Sequence, residues 1–269
     1  MEKLGVAGYL GPQGTYSEIA AQRLCGGARL CAFPSFYALF SALKSGEVGA
    51  IVLPIENSLN GAVTQNLDLM QEADGVYAKA ITSVKIDHRL ITAAGCDRGA
   101  IRRVFSHVQA LEQCAAYLAE NLPQAALFET PSTAECLSKL EYPTDAGIVG
   151  AHVKREGYEL SENTISDNPA NFTQFLLTVN GEPDPETPTS RIFFSVTCRH
   201  RAGALVQILN ILNGDGVNMT KIESRPIKDR AGEFRFFIEA EGDYSTPAAR
   251  ETLEKIKAAA LSVKLLGAY

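Results

Sequence analysis

The sequence lacks the features that mark several large classes of protein. It contains no Cys-x-x-Cys pair and no apolar run near the roughly 20 residues that cross a bilayer. Its lysines and arginines are scattered and its net charge is −6, so we expect no nucleic-acid partner and no membrane partner. Its first residues lack the long apolar core of a signal peptide. These absences favour a soluble, cytoplasmic protein.

Potential metal ligands are also too dispersed to suggest a metal site. The six cysteines and four histidines stand apart from one another, and no spacing fits the ligand patterns of zinc. Most of the cysteines lie within apolar segments, where a free thiol behaves as a small hydrophobic residue. We therefore expect no bound metal and a reducing compartment.

One segment divides the chain into two parts. Residues 181–190 read GEPDPETPTS, with three prolines, three acids and no aliphatic residue, which is typical of a linker. We therefore predict one domain over residues 1–180 and a second over residues 191–269.

The first part alternates between short apolar strands and helical patterns, which indicates mostly parallel sheets covered on both faces. Its length suits two α/β lobes, which we place at about 1–78 with 168–180, and at 79–167. Ligands of open α/β sheets bind beyond the carboxyl ends of strands, here the loops after Leu10, Pro54 and Phe105. The predicted helices are Ser17–Leu24, Phe36–Lys44, Val108–Glu120 and Thr133–Leu140.

The second part has a different order of elements. Its periodicities predict β-α-β-β-α-β, the split arrangement of ferredoxin-like domains. Many binding modules share this order, so it does not by itself identify a function.

The first polar motif, GPQGTYSE, lies between a predicted strand and a predicted helix. Thr15 and Glu18 have capping-box spacing. Backbone amides at the helix N-terminus, with the hydroxyls of Thr15 and Ser17, suit a carboxylate ligand. The spacing alone equally fits a tight turn followed by a capped helix.

The second motif, PIENSLNGAV, follows a buried strand and places Glu56, Asn57 and Ser58 at its end. It matches no phosphate-binding loop. A polar turn, with Asn60-Gly61 supplying the positive φ angle, explains the same residues.

The third motif, SHVQALEQC, places Ser106, Gln109 and Gln113 on one helix face towards the expected cleft. Ser106 and Gln109 have the spacing of a second capping box. An ordinary solvated helix face remains an alternative, and His107 lies off this stripe.

The fourth motif, NPANFTQF, brings Thr173 into a late strand. Its position by itself is explained by the β propensity of threonine.

Together these motifs resemble the prephenate dehydratase family over essentially the whole chain. The family patterns G-P-x-G-T-x-S-E, P-I-E-N-S-x-x-G and S-H-x-Q-x-x-x-Q-C occur intact and in order. The second part resembles an ACT regulatory domain through its G-A-L and E-S-R-P signatures. The resemblance implies a two-lobed, periplasmic-binding-protein-like α/β catalytic domain, an α+β ferredoxin-like ACT domain, and a homodimer or homotetramer.

The function implied is that of prephenate dehydratase, a carbon–oxygen lyase of phenylalanine biosynthesis. It would convert prephenate to phenylpyruvate without a cofactor, under allosteric control by L-phenylalanine. The resemblance carries over three sets of residues. The catalytic set is Thr173, Glu56, Asn57, Ser106 and Gln113. The substrate-binding set is Thr15, Ser17, Ser58, Gln109, Gln174 and Phe175. The phenylalanine-binding set is Gly203, Ala204, Leu205, Glu223, Ser224, Arg225 and Pro226.

One position departs from the family pattern. The family reads Thr-Arg-Phe where this chain has Thr173-Gln174-Phe175, and glutamine supplies neither a fixed positive charge nor a guanidinium fork. If that arginine holds a substrate carboxylate, its loss weakens binding. The alternatives are therefore an arogenate dehydratase, a phenylalanine-sensing homologue with weakened catalysis, and a prephenate decarboxylase that keeps the hydroxyl.

Overall fold

The computed structural model describes residues 5–227, 230 and 233–269; the first four residues, part of the segment searched for a signal peptide, lie outside it. The described residues form fifteen strands and seven α-helices. In chain order they are β1 (Val6–Leu10), α1 (Tyr16–Leu24), β2 (Arg29–Phe33), α2 (Phe36–Ser45), β3 (Ala50–Asn57), β4 (Gly61–Ala62), α3 (Thr64–Glu72), β5 (Val76–Lys85), β6 (His88–Ala93), β7 (Arg103–Ser106), α4 (Val108–Glu112), α5 (Ala115–Asn121), β8 (Ala126–Glu129), β9 (Asp145–Gly150), β10 (Tyr158–Leu160), β11 (Phe172–Asn180), β12 (Arg191–Thr197), α6 (Ala204–Gly214), β13 (Met219–Pro226), β14 (Phe234–Glu241), α7 (Pro247–Ala259) and β15 (Ser262–Ala268).

The first lobe is built on a mixed sheet. Strands β3, β1 and β2 are parallel, whereas β11 lies antiparallel between β3 and β5. The parallel sheet predicted from the apolar runs is therefore only partly present, because the chain returns from the second lobe through β11. Helix α1 packs on one face of the sheet, and helices α2 and α3 pack on the other.

The second lobe has its own five-stranded sheet, in the order β10-β6-β9-β7-β8. The chain enters this lobe after β5 and leaves it before β11, and at the crossing the Ile86 amide donates to the Asn171 carbonyl at 2.8 Å. The lobe boundary expected near residues 78–79 falls inside β5, which stays paired with β11 as far as Lys85. The crossing strands bring the two lobes together along one line.

Two helices differ from their predicted forms. The helix expected over residues 108–120 is divided into α4 and α5, because the Asp167 carboxylate accepts hydrogen bonds from the amides of Ala116 and Tyr117 and so begins a new helix. The segment expected as Thr133–Leu140 is a short 3-10 helix, Glu135–Lys139. Asp167 is 49 or more residues away in sequence, so local spacing did not reveal this cap.

The C-terminal domain has the predicted order of strands and helices, β12-α6-β13-β14-α7-β15. Its sheet continues that of the first lobe, because β15 pairs with β5 where Gly267 lies opposite Ala78. A Cβ atom on Gly267 would lie only 2.8 Å from the Ala78 carbonyl oxygen, so the close approach requires glycine. Phe193 and Leu266 join the apolar core of the first lobe. The two domains therefore share one sheet and one core.

Within the described part of the chain, none of the helices combines the length and apolar character needed to cross a bilayer.

Candidate active site

A cleft of about 590 Å³ lies between the two lobes. This volume falls within the usual range for small-molecule sites. The loops after Leu10, Pro54 and Phe105 all border it, as expected from the carboxyl ends of their strands. Six predicted site residues line it: Thr15, Ser17, Asn57, Gln109, Gln113 and Thr173.

The N-terminus of α1 supplies the first wall of the cleft. Thr15 caps the helix, because its hydroxyl oxygen accepts a hydrogen bond from the Glu18 amide. The Glu18 carboxylate in turn accepts from the Gly14 amide at 2.6 Å, so the capping box closes one residue earlier than the standard pattern. Ser17, largely buried, also faces this space. Hydroxyls and a helix N-terminus thus meet at one side of the cleft, an arrangement that suits an anion.

The paired ends of β3 and β11 place Thr173 and Asn57 side by side. Thr173 lies opposite Asn57, and the Thr173 hydroxyl oxygen accepts a hydrogen bond from Asn57 Nδ2 at 2.9 Å. Asn57 Oδ1 accepts from the amides of Leu59 and Asn60, both at 3.1 Å, which fixes the orientation of the Asn57 amide. Among the described residues the Thr173 hydroxyl has no acceptor of its own, so its proton is free to bond a ligand in the cleft.

A chain of side-chain amides connects Thr173 to the second lobe. Asn171 is fully buried; it accepts from Asn57 Nδ2 at 2.8 Å and donates to Gln113 Oε1 at 2.9 Å. Gln113 Nε2 then donates to Asn60 Oδ1 at 2.8 Å. Because Gln113 belongs to the second lobe, this network ties both lobes around the same cleft.

His88 completes the network from below Gln113. Its Nε2 lies 3.0 Å from Gln113 Oε1, and since that oxygen is an acceptor, Nε2 carries the proton. Burial lowers the pKa of His88 against the opposing effect of this hydrogen bond. The Nδ1 atom is buried and has no partner among the described residues. His88 is therefore a neutral imidazole that orients Gln113.

Tyr16 fastens α1 to the second lobe at the crossing. Its hydroxyl donates to the Asp87 carbonyl at 2.9 Å and accepts from the Asp87 amide at 3.0 Å. Burial is the main reason that the pKa of Tyr16 is raised well above its ordinary value, so this hydroxyl keeps its proton.

Ser106 does not take the position that the sequence predicted. It ends strand β7, is fully buried, and donates to the Ile148 carbonyl at 2.8 Å. The residue that caps α4 is His107, whose Nδ1 accepts from the Gln109 amide at 3.3 Å. His107 also lines the cleft. The strand runs one residue further than expected, so the capping position moves from Ser106 to His107.

Four other predicted residues lie outside the set that lines the cleft. Ile55 has no partner on β11, and the register shift there turns Glu56 and its opposite residue Gln174 to the sheet face away from Thr173. Phe175 is packed in the core, and the Ser58 hydroxyl accepts from the Phe172 amide at 3.0 Å. Their positions do not support the expected contacts with substrate.

The sequence analysis missed several residues of the cleft or its network. Asn171 lies within the fourth motif, two residues before Thr173, and its complete burial was not apparent from the sequence. His88 follows a strand without any motif around it. The others are Tyr16, Asn60, Ser132 and Thr133.

The predicted phenylalanine-binding residues lie in two places in the C-terminal domain. Gly203 adopts a φ of +81° before α6, and Ala204 and Leu205 line an open pocket of about 440 Å³. The segment 223–226 lies on β13, separated from β12 by β14. Its Arg225 binds Asp68 of α3 at 2.7 Å. Within one chain, the two signatures do not line a common pocket.

These features define a class of protein: a two-lobed α/β enzyme with an interlobe cleft and a fused β-α-β-β-α-β domain. The prephenate dehydratase family model matches residues 7–182, and the ACT domain model matches residues 192–258. The chain belongs to the prephenate dehydratase family and carries an ACT domain.

Individual proteins agree with this assignment. The chain is 31% identical to a bifunctional chorismate mutase/prephenate dehydratase of Pseudomonas aeruginosa over 97% of this chain and 72% of the relative. It is also 31% identical to a prephenate dehydratase of Amycolatopsis methanolica, over 97% of this chain and 87% of the relative. A crystal structure of prephenate dehydratase from Arthrobacter aurescens, in complex with L-Phe, superposes with a TM-score of 0.86 at 27% identity, over 98% of this chain and 89% of the other. The predicted family, fold class and prephenate dehydratase function are confirmed.

Proposed function

We propose that Thr173 is the residue that assists departure of the ring hydroxyl when this chain converts prephenate to phenylpyruvate, as a carbon–oxygen lyase. One observation supports this role above the others. Asn57 occupies the oxygen of the Thr173 hydroxyl as a donor, and the hydroxyl proton remains available on the cleft side. A threonine hydroxyl held in this way donates a hydrogen bond to a leaving oxygen.

The reaction breaks two bonds of the dihydro ring. The C–C bond to the ring carboxylate breaks, carbon dioxide leaves, and the electron pair enters the ring. The C–O bond to the ring hydroxyl breaks, and that oxygen departs with its electron pair and takes a proton to become water. The ring becomes aromatic, which drives the reaction. The protein must orient the ring and supply a proton at the departing oxygen.

The remaining cleft residues bind and orient the substrate in this proposal. Thr15 and Ser17, at the N-terminus of α1, bind a carboxylate. Gln113 and Gln109 bind polar atoms from the opposite lobe. Asn57 holds the Thr173 oxygen so that its proton points at the leaving group.

The test is phenylpyruvate formation from prephenate by the purified protein and by Thr173 variants. Thr173→Val keeps the shape and removes the hydroxyl, so we expect the turnover number to fall by about 10² to 10⁴, the range of general acid catalysis. Thr173→Ser keeps a hydroxyl and should retain much of the rate. A Thr173→Val protein with near wild-type turnover contradicts the assignment.

L-Phenylalanine is the effector in this proposal, and it binds the C-terminal domain. The complex of the Arthrobacter aurescens enzyme with L-Phe supports it. The separation of the two signatures within one chain supports a homo-oligomer in which a second copy completes the site. L-Phenylalanine should raise the melting temperature by binding the folded state and should change turnover. No shift at saturating L-phenylalanine contradicts the role.

A sensor without strong catalysis was considered because Gln174 replaces the family arginine. Gln174 faces away from the cleft in this structure, so its identity does not bear directly on substrate binding. Arogenate remains a second substrate to assay beside prephenate, and the ratio of the two turnover numbers decides the preference.

The protein is also proposed to be cytoplasmic, which the six unpaired cysteines support. Cell fractionation tests this location.

A further inference from the structure

We propose that Lys221 of the C-terminal domain is a positioning residue for the reaction in the cleft. Through its ion pair with Glu56, it holds the end of strand β3 that carries Asn57, and thereby Thr173. The inference deepens the function proposed above, because it assigns part of the active-site framework to the regulatory domain.

The ion pair crosses the boundary between the two domains. Lys221 Nζ lies 2.7 Å from Glu56 Oε2, and the Lys221 side chain is only 11% exposed. Among the described residues, the ammonium has no hydrogen-bond partner besides this carboxylate contact. A lysine ammonium in such a poorly hydrated position depends on its carboxylate, because an unpaired buried charge is costly. Glu56 and Lys221 are therefore strongly coupled.

Glu56 stands at the point where strand β3 is least held by its neighbour. Its preceding residue, Ile55, has no register partner on β11, so the strand ladder is interrupted there. A bulge of this kind re-aims the side chains that follow it. Asn57 is the next residue and donates to the Thr173 oxygen. Anchoring Glu56 from the far face thus fixes the direction in which Asn57 points into the cleft.

The same strand of the C-terminal domain carries the predicted effector residues. Lys221, Glu223 and Arg225 alternate along β13 and share one face. Arg225 pairs with Asp68 of α3, so this face is turned towards the first lobe. Any displacement of β13 therefore reaches Glu56 through Lys221.

The experiment measures prephenate turnover by the full-length protein and its variants. We expect Lys221→Gln and Glu56→Gln each to lower the turnover number at least tenfold while KM changes less than threefold. The double variant should be no worse than the more impaired single variant, within twofold, because both changes remove one interaction. Lys221→Arg keeps the charge and should stay within threefold of wild type.

A lysine at the same domain boundary supplies the matched control. Lys264 donates to the carbonyls of Gln71 and Ala73, both at 2.8 Å, and does not contact β3 in these hydrogen bonds. Lys264→Gln should leave the turnover number within twofold of wild type. Equal losses in Lys264→Gln and Lys221→Gln would reduce Lys221 to general domain adhesion and overturn the proposal.

Hydrogen exchange of residues 54–60 provides a readout that does not need turnover. Exchange should become faster in Lys221→Gln and stay unchanged in Lys264→Gln. If wild type turns over prephenate and Lys221→Gln matches it within twofold, Lys221 has no positioning role although the proposed function stands. If wild type forms no phenylpyruvate, the proposed function fails, and exchange in residues 54–60 alone then decides the role of Lys221: unchanged exchange in Lys221→Gln rejects it.

Discussion

Replacement of Asn171 by alanine tests whether the amide network aligns Thr173. Asn171 touches no part of the cleft surface, yet it joins Asn57 to Gln113 through hydrogen bonds of 2.8 and 2.9 Å. The alanine variant loses both bonds inside the protein. A substrate-binding residue would mainly raise KM, whereas a residue that aligns the catalytic hydroxyl should lower the turnover number.

The size of the effect follows from the partners that remain. Asn57 Nδ2 keeps the Thr173 oxygen, and Gln113 Oε1 keeps His88, so neither group is left wholly unsatisfied. Each lost bond then costs about 1 kcal/mol, the low end for buried groups, giving roughly 2 kcal/mol in all. For a chain of this size we expect the melting temperature to fall by about 4 to 8 °C. Misalignment of about 1 Å lowers turnover by about 10²-fold.

A neighbouring buried residue provides the control. Thr178 lies on the same strand, β11, is fully buried, and its hydroxyl has no hydrogen-bond partner among the described residues. Thr178→Val should leave turnover unchanged and the melting temperature equal or higher, because an unsatisfied polar group is removed. If Asn171→Ala melts lower as expected but keeps turnover within threefold of wild type, the network does not align Thr173.

Two other predictions concern stability. Burial gives His88 a folded-state pKa below that of the unfolded chain, about 6.5; its contribution to stability should be complete above pH 6.5 and be lost as pH falls through the folded pKa. Melting curves from pH 7.5 to 5 should therefore fall less steeply for His88→Gln than for wild type, by at most about 1.4 kcal/mol per pH unit, and parallel curves would contradict the neutral imidazole. Gly267→Ala should destabilise the protein by about 1 to 3 kcal/mol, because the new methyl group meets the Ala78 carbonyl at 2.8 Å. Gly26→Ala, which meets nothing within 4 Å, is its control, and equal melting temperatures for the two variants would refute the steric argument.

Local sequence patterns predicted much of the fold. Helix α1, strand β1 and the order of elements in the C-terminal domain follow from apolar periodicity and capping residues, which act within a few positions of the chain. The division between α4 and α5 did not follow, because the cap comes from Asp167 in another part of the chain. The joining of β15 to β5 was equally hidden, since it depends on a glycine whose role appears only when Ala78 is beside it.

The site was predicted in part for a similar reason. Thr15, Asn57, Gln113 and Thr173 stand at strand or helix ends, where general rules place ligand-binding residues. Glu56 also stands at a strand end, but an unpaired residue before it turns its side chain to the opposite face. A motif gives the identity of a residue and not the side of the sheet on which it lies.

The continuous sheet has a consequence for attempts to separate the catalytic part from the rest. Cutting the chain near residue 182 would strip β5 of its neighbour and uncover the apolar surface on which Phe193 and Leu266 pack. An exposed strand edge beside such a surface invites self-association. A shortened protein would need a substitute cover for this side before its activity could be compared with that of the full chain.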